Sequence, residues 1–166
     1  MMSPHQLLEC RIQPKDRPII ALDTQILLAA TLGRDLDSLA LVEKVGDMAE
    51  RREVMILETA DTLDEVRFKG MQLKKNAGDS CRLDLVESIL DQATVVKFPP
   101  ERCPWDDELH SLGRLNVLYF RLVADEMAEV LATNNRGLLR ANRNFLQDDP
   151  NLGRITTPSN CLKFLD

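Results

Sequence analysis

Short apolar runs alternate with longer stretches in which apolar residues recur every three or four positions, and this alternation organises the chain. Pro18-Ile19-Ile20-Ala21-Leu22-Asp23 is almost continuously apolar up to a terminal acid. That is the pattern of a strand covered on both faces of a parallel sheet. Comparable runs follow at Val54-Met55-Ile56-Leu57, Thr94-Val95-Val96-Lys97-Phe98 and Val130-Leu131-Ala132-Thr133, with a brief fifth at Arg154-Ile155-Thr156. Helical periodicity fills the gaps. Gln25 to Thr31 is capped by Asp23 or Thr24 and stopped by Gly33. A second helix runs from Asp35 or Asp37 to about Arg51, with Leu36, Leu39, Ala40 and Val42 on its apolar side. Thr59 to Lys75 turns Leu63, Val66, Phe68 and Met71 inward. Another helix runs from a cap at Asp79 or Ser80 to Asp91, and a long one from Asp106 to about Asp125, with Gly113 as its break point. Leu138 to Phe145 and Ser159 to Leu165 complete the set.

Strands alternating with helices predict βαβ units. The expected architecture is a three-layer α/β/α domain around a mostly parallel sheet of four or five strands. It spans residues 18–166, and the polar, proline-containing residues 1–17 form an arm.

Composition narrows the class. A chain of 166 residues, 44% hydrophobic and 29% charged, fits one ordinary globular domain. Its charge of 21 − 27 = −6 argues against broad, nonspecific binding to a phosphate backbone, though a local basic groove remains compatible. No apolar run approaches the ~20 residues of a membrane helix, so no membrane contact is expected. The segment holding Pro4, Glu9, Lys15 and Asp16 lacks the apolar centre of a signal peptide. Cys10, Cys81, Cys103 and Cys161 form no C-x-x-C pair, and His5 and His110 are the two histidines. Zinc ligation is therefore disfavoured, and free thiols in a reducing cytosol are expected.

In open parallel sheets, ligands bind beyond the carboxyl ends of the strands. Asp23 ends the first strand. Glu58, Asp61, Thr62 and Glu65 fall at helical spacing after the second. Asn116 lies on the long helix, and Thr133-Asn134-Asn135 ends the fourth strand. Each has a plain structural reading: a helix cap for Asp23, a solvated glutamate for Glu65, a hydrogen-bonded core amide for Asn116, a turn for Thr133 to Asn135. Only their joint placement suggests a site. There is no G-x-G-x-x-G and no P-loop, so no nucleotide cofactor is expected. Asp23-Thr24-Gln25 lacks the second aspartate of a phosphotransferase motif, no aspartate closes the third strand, and there is no G-x-S-x-G.

Four segments in order resemble the PIN-domain family of metal-dependent ribonucleases. They are Ile19-Ile20-Ala21-Leu22-Asp23-Thr24-Gln25, Thr62-Leu63-Asp64-Glu65-Val66, Val130-Leu131-Ala132-Thr133-Asn134-Asn135-Arg136, and Thr156-Thr157-Pro158-Ser159. The resemblance implies a site at Asp23, Glu65, Asn116 and Asn135, where the family has four acids that bind divalent metal and activate water on a phosphodiester. Here the third and fourth positions carry amides. Glu108 does not replace the third: it lies eight positions before Asn116, about 12 Å along a helix. The expectation is at most one weakly held Mg²⁺ or Mn²⁺, on Asp23 and Glu65.

Arg136 and Arg140, with Arg143, share a helical face, and Arg67 and Lys69 decorate the Glu65 helix. They are candidates for an RNA path or for solvated surface. Trp105 is a candidate for base stacking, core capping or an oligomer contact. Two function classes stand: a slow Mg²⁺-dependent ribonuclease acting on RNA, and a catalytically degenerate domain that binds nucleic acid, a protein partner or a second copy of itself.

Overall fold

The computed structural model describes residues 17–78, 81–98, 107–149 and 152–166. It contains five strands: β1 (Ile19–Leu22), β2 (Met55–Thr59), β3 (Thr94–Val96), β4 (Val130–Ala132) and β5 (Arg154–Thr156). All pair in parallel, in the order β3-β2-β1-β4-β5. The helices are α1 (Thr24–Leu32), α2 (Leu36–Glu50), α3 (Ala60–Ala77), α4 (Leu83–Gln92), α5 (Arg114–Ala124), α6 (Arg136–Ala141) and α7 (Pro158–Leu165).

The two-residue period of a strand splits the core into two layers. Ile20, Leu22, Ile56, Val130 and Ala132 point to one face and pack with Ile26, Leu27, Leu41, Val45, Leu63, Val66, Ile89 and Cys161. Ala21, Leu57, Leu131 and Ile155 point to the other and pack with Val117, Phe120, Leu138 and Leu146. Helices thus cover both faces, and the chain has the expected three-layer α/β/α fold around a five-stranded, all-parallel sheet. No helix among the described residues is long and apolar enough to cross a membrane.

Several local expectations are corrected. Phe68 and Met71 are not inward but 65% and 70% exposed. The buried face of α3 is Thr62, Leu63, Val66 and Gly70, so both lie beyond its edge. On α2 the buried positions are Ser38, Leu41, Val42, Val45 and Gly46, while Leu36 and Ala40 face outward. β2 extends to Thr59, which caps α3, so Glu58 is a strand residue rather than a helical one. The long helix is broken where Gly113 adopts φ 85°, a value that side chains disfavour. A 3-10 turn, His110–Leu112, precedes the break. α6 begins at Arg136 and ends at Ala141 in a wider turn, Asn142–Leu146. The arm up to residue 16, the caps Asp79 and Ser80, the Pro99-Pro100 loop and Trp105 lie outside the described residues. Cys81 and Cys161 are free thiols.

Candidate functional site

The carboxyl end of β1 is held by one local and two long-range partners. Asp23 leaves the strand in extended geometry and caps α1, its Oδ1 accepting from the Gln25 amide at 3.0 Å. Its own amide donates to Ala132 at the end of β4. Thr133 Oγ1 donates to Asp23 Oδ2 at 2.5 Å and accepts from the Asn135 amide at 3.0 Å. One hydroxyl therefore links Asp23 to the turn that carries Asn135. Asp23 is nearly buried, and that burial raises its pKa; the bonds from Thr133 and Gln25 oppose the rise, and the charge of Glu65 adds to it.

Behind this end of the sheet, the Tyr119 hydroxyl is a hub. It accepts from the Thr24 amide at 2.9 Å and lies 2.5 Å from Thr24 Oγ1 and 2.7 Å from Thr62 Oγ1. Thr62 continues to Thr59 Oγ1 at 2.9 Å. All four residues are buried. Thr24 follows Asp23, Thr62 lies one turn before Glu65, and Tyr119 lies one turn after Asn116. A single phenol thus ties together three of the four elements on which the sequence placed the site. Tyr119→Phe leaves the buried Thr24 amide without its acceptor, so a loss of about 1–3 kcal/mol is expected in denaturant unfolding. A loss below about 0.5 kcal/mol would show that the hub does not carry this junction.

The other predicted residues fall at the same end of the sheet but are differently engaged. Glu65 is half-buried and forms an ion pair with Lys69 at 2.5 Å. It lines an open depression of about 410 Å³ with Asp61, Asp64, Arg114 and Leu115. Asn116 donates through Nδ2 to Leu112 O at 2.8 Å. Asn135 caps α6, its Oδ1 accepting from the Leu138 amide at 3.0 Å. Leu112 packs against Gly137, where a Cβ would lie 2.4 Å from Leu112 Cδ2 and 3.1 Å from Asn135 Oδ1. A side chain there would have to displace the end of Leu112, and the close approach brings the Asn116 and Asn135 segments together. Arg136 and Arg140 are exposed on α6. Arg67 instead lines a separate groove between α3 and α4, with Met71, Leu83, Glu87 and Asp91. Lys69 is the partner of Glu65 rather than a free surface cation.

Glu58 lies on β2, apart from the helix residues Asp61, Thr62 and Glu65 with which its spacing groups it. It is fully buried. β1 and β2 stay in register at Ile19↔Met55 and Ile20↔Ile56, and beyond that the Leu22 amide donates to Glu58 Oε1 at 2.9 Å. The side chain supplies a bond that the neighbouring strand would otherwise provide. Its second oxygen, Oε2, is buried without a hydrogen-bond partner among the described residues. Burial holds the Glu58 carboxyl well above the usual range, the Leu22 bond opposes this, and the charge of Asp23 adds to it. The alternation Ile56, Glu58 along a strand was the available signal, because it puts Glu58 on the face where Ile56 is buried.

Among the described residues, no three histidine, cysteine, aspartate or glutamate side chains come together closely enough to hold a metal ion.

No protein-family model matches this chain, and no curated protein matches it. Among solved structures it is similar to PAE2754 from Pyrobaculum aerophilum. The TM-score is 0.51 at 17% identity, over 93% of this chain and 95% of that one. At that identity the likeness is one of fold, and it extends over nearly the whole length of both chains.

Proposed function

We propose that this chain is a PIN-type domain that holds one divalent cation weakly at Asp23 and cleaves single-stranded RNA slowly. The observation that carries the reading is the junction at Asp23. The ends of β1 and β4 are joined through Thr133, and the charge of Glu65 reaches the same carboxyl. The donor set suits one hard cation: Asp23 uses each of its oxygens for a single hydrogen bond, and Glu65 adds negative charge nearby. Mg²⁺ or Mn²⁺ commonly takes one or two carboxylates and completes its shell with water and phosphate oxygens. Such an ion, when bound, supplies Lewis-acid charge to a phosphodiester. The protein's own part is to orient Asp23 through Thr133 and the α1 amide and to hold the surrounding helices through Tyr119. The exposed Arg136 and Arg140 offer an approach for an RNA backbone. The compartment we propose is the cytosol.

A second reading has its own support. Asn135 Oδ1 is spent on a helix cap and Asn116 Nδ2 on a backbone carbonyl, which are structural duties. On that reading the domain binds RNA, a protein or a second copy of itself without catalysis. Calorimetric titration with MnCl₂, paired with cleavage of a labelled single-stranded RNA, separates the two. Asp23→Asn is expected to abolish both Mn²⁺ uptake and cleavage. Uptake unchanged in that variant moves the site elsewhere, and Mn²⁺ uptake without any cleavage favours the binding module.

A further inference from the structure

We propose that Glu58, rather than Glu65, is the carboxylate that shares the cation with Asp23. This rests on the cation reading above and changes which residues form the centre.

The two glutamates differ in what their oxygens already do. Glu65 Oε1 is committed to Lys69 at 2.5 Å, and the pair sits on the outer flank of α3, its side chains 29% and 42% exposed. A cation there would compete with an ammonium group already in place. Glu58 forms no ion pair with a described cation. One oxygen takes the Leu22 amide, which sets the carboxyl beside the residue that precedes Asp23. The other oxygen is buried and has no hydrogen-bond partner among the described residues.

An unpaired buried carboxyl oxygen costs free energy. A glutamate whose only duty was to accept from Leu22 could be a glutamine, which offers the same carbonyl-type acceptor without a charge to desolvate. What glutamine lacks is the second anionic oxygen. Its available use is to meet a positive charge next to Asp23. Both carboxyls are buried at this end of the sheet, Glu58 at 0% and Asp23 at 3% exposure. Two carboxylates leave the remaining coordination positions to water and phosphate oxygens, as Mg²⁺ and Mn²⁺ prefer. The centre then draws its charge from β2, on the side of β1 away from Asn135, which is why amides at 116 and 135 need not abolish it.

The test is titration of the full chain with MnCl₂ by calorimetry, for the native protein, Glu58→Gln, Glu65→Gln and Asp23→Asn. Glu58→Gln is expected to bind about 10- to 100-fold more weakly, the scale seen when groups supporting a metal site are altered. Glu65→Gln is expected to change affinity less than about threefold. Glu58→Gln keeps the acceptor for Leu22, so its fold should persist, and a melting curve run alongside separates lost affinity from lost structure. A second measurement needs no variant. On adding Mg²⁺ to ¹³C-labelled native protein, the side-chain carboxyl signals of Asp23 and Glu58 should move together while that of Glu65 stays. Native affinity in Glu58→Gln, or a Glu65 signal that moves while Glu58 does not, overturns the assignment and leaves the cation reading standing on Asp23 and Glu65. If the native protein takes up no Mn²⁺, or Asp23→Asn binds like the native protein, the cation reading fails and this assignment with it.

Discussion

Glu58→Gln is expected to unfold at a higher temperature than the native protein at pH 7 in the absence of divalent cation, and at nearly the same temperature at pH 4. Burial raises the folded-state pKa of Glu58 well above its ordinary 4.5, so between the two values the folded chain keeps a proton that the unfolded chain has released. Stability therefore falls as pH rises through that window. The contribution is fully present below the unfolded pKa and is lost as pH passes upward to the folded one. One retained proton gives a slope of about 1.4 kcal/mol per pH unit within the window. Glutamine carries no proton to lose, so the variant's advantage should open with rising pH and then level off. Asp23 is shifted in the same direction and will add a smaller slope of its own that survives in the variant. Thermal unfolding across pH 4 to 8 is the measurement. A gap between the two proteins that stays constant with pH would mean that Glu58 titrates normally in the folded chain. Removing the charge should thus strengthen the fold while weakening cation uptake, as happens where stability is given up for a functional group.

How much of this was readable beforehand depends on the range of the interactions. The apolar run that ends in Asp23 announces a buried strand, because a parallel strand covered on both faces needs apolar residues at every position. The same logic locates β4 and Thr133, and a polar residue at the exit of such a strand is visible as a break in the run. Thr157-Pro158 marks the start of α7 through the cap and N1 preferences of those two residues. The burial of Glu58 was missed because a lone acid between Leu57 and Thr59 reads equally well as the first turn of the next helix. Only the strand's exact end decides which face it occupies, and strand ends are poorly marked. The Tyr119 hub is invisible to local patterning, since its partners lie 95 and 57 positions away. Phe68 and Met71 misled for another reason. Apolar residues at i and i+3 define a stripe but not which way the stripe faces, and α3 is turned by the packing of Leu63 and Val66.

The double change Asn116→Asp with Asn135→Asp is expected to raise Mn²⁺ affinity and to speed RNA cleavage. Both amides sit at the carboxyl end of the sheet, joined through the Leu112–Gly137 contact, and Asn135 reaches Asp23 through Thr133. Aspartate at 135 keeps the cap, because a carboxylate accepts the Leu138 amide as well as an amide oxygen does and favours a helix N-terminus. Aspartate at 116 loses the donor to Leu112 O, and the cost of about 0.5–1.5 kcal/mol for that bond should appear as a lower melting temperature without cation. Two new negative charges at this end of the sheet raise mutual repulsion in the free protein and attraction for a divalent ion in the bound one. A gain of 2–3 kcal/mol in cation binding corresponds to roughly 30- to 150-fold in affinity. Cleavage should rise further than affinity alone accounts for, because a second anionic oxygen can orient the attacking water. Calorimetry with MnCl₂ and cleavage of labelled single-stranded RNA at saturating cation separate the two effects. Affinity that rises without any change in saturated cleavage would place the rate limit elsewhere than at these two positions. Affinity that fails to rise would show that the amides at 116 and 135 do not face the cation held at Asp23.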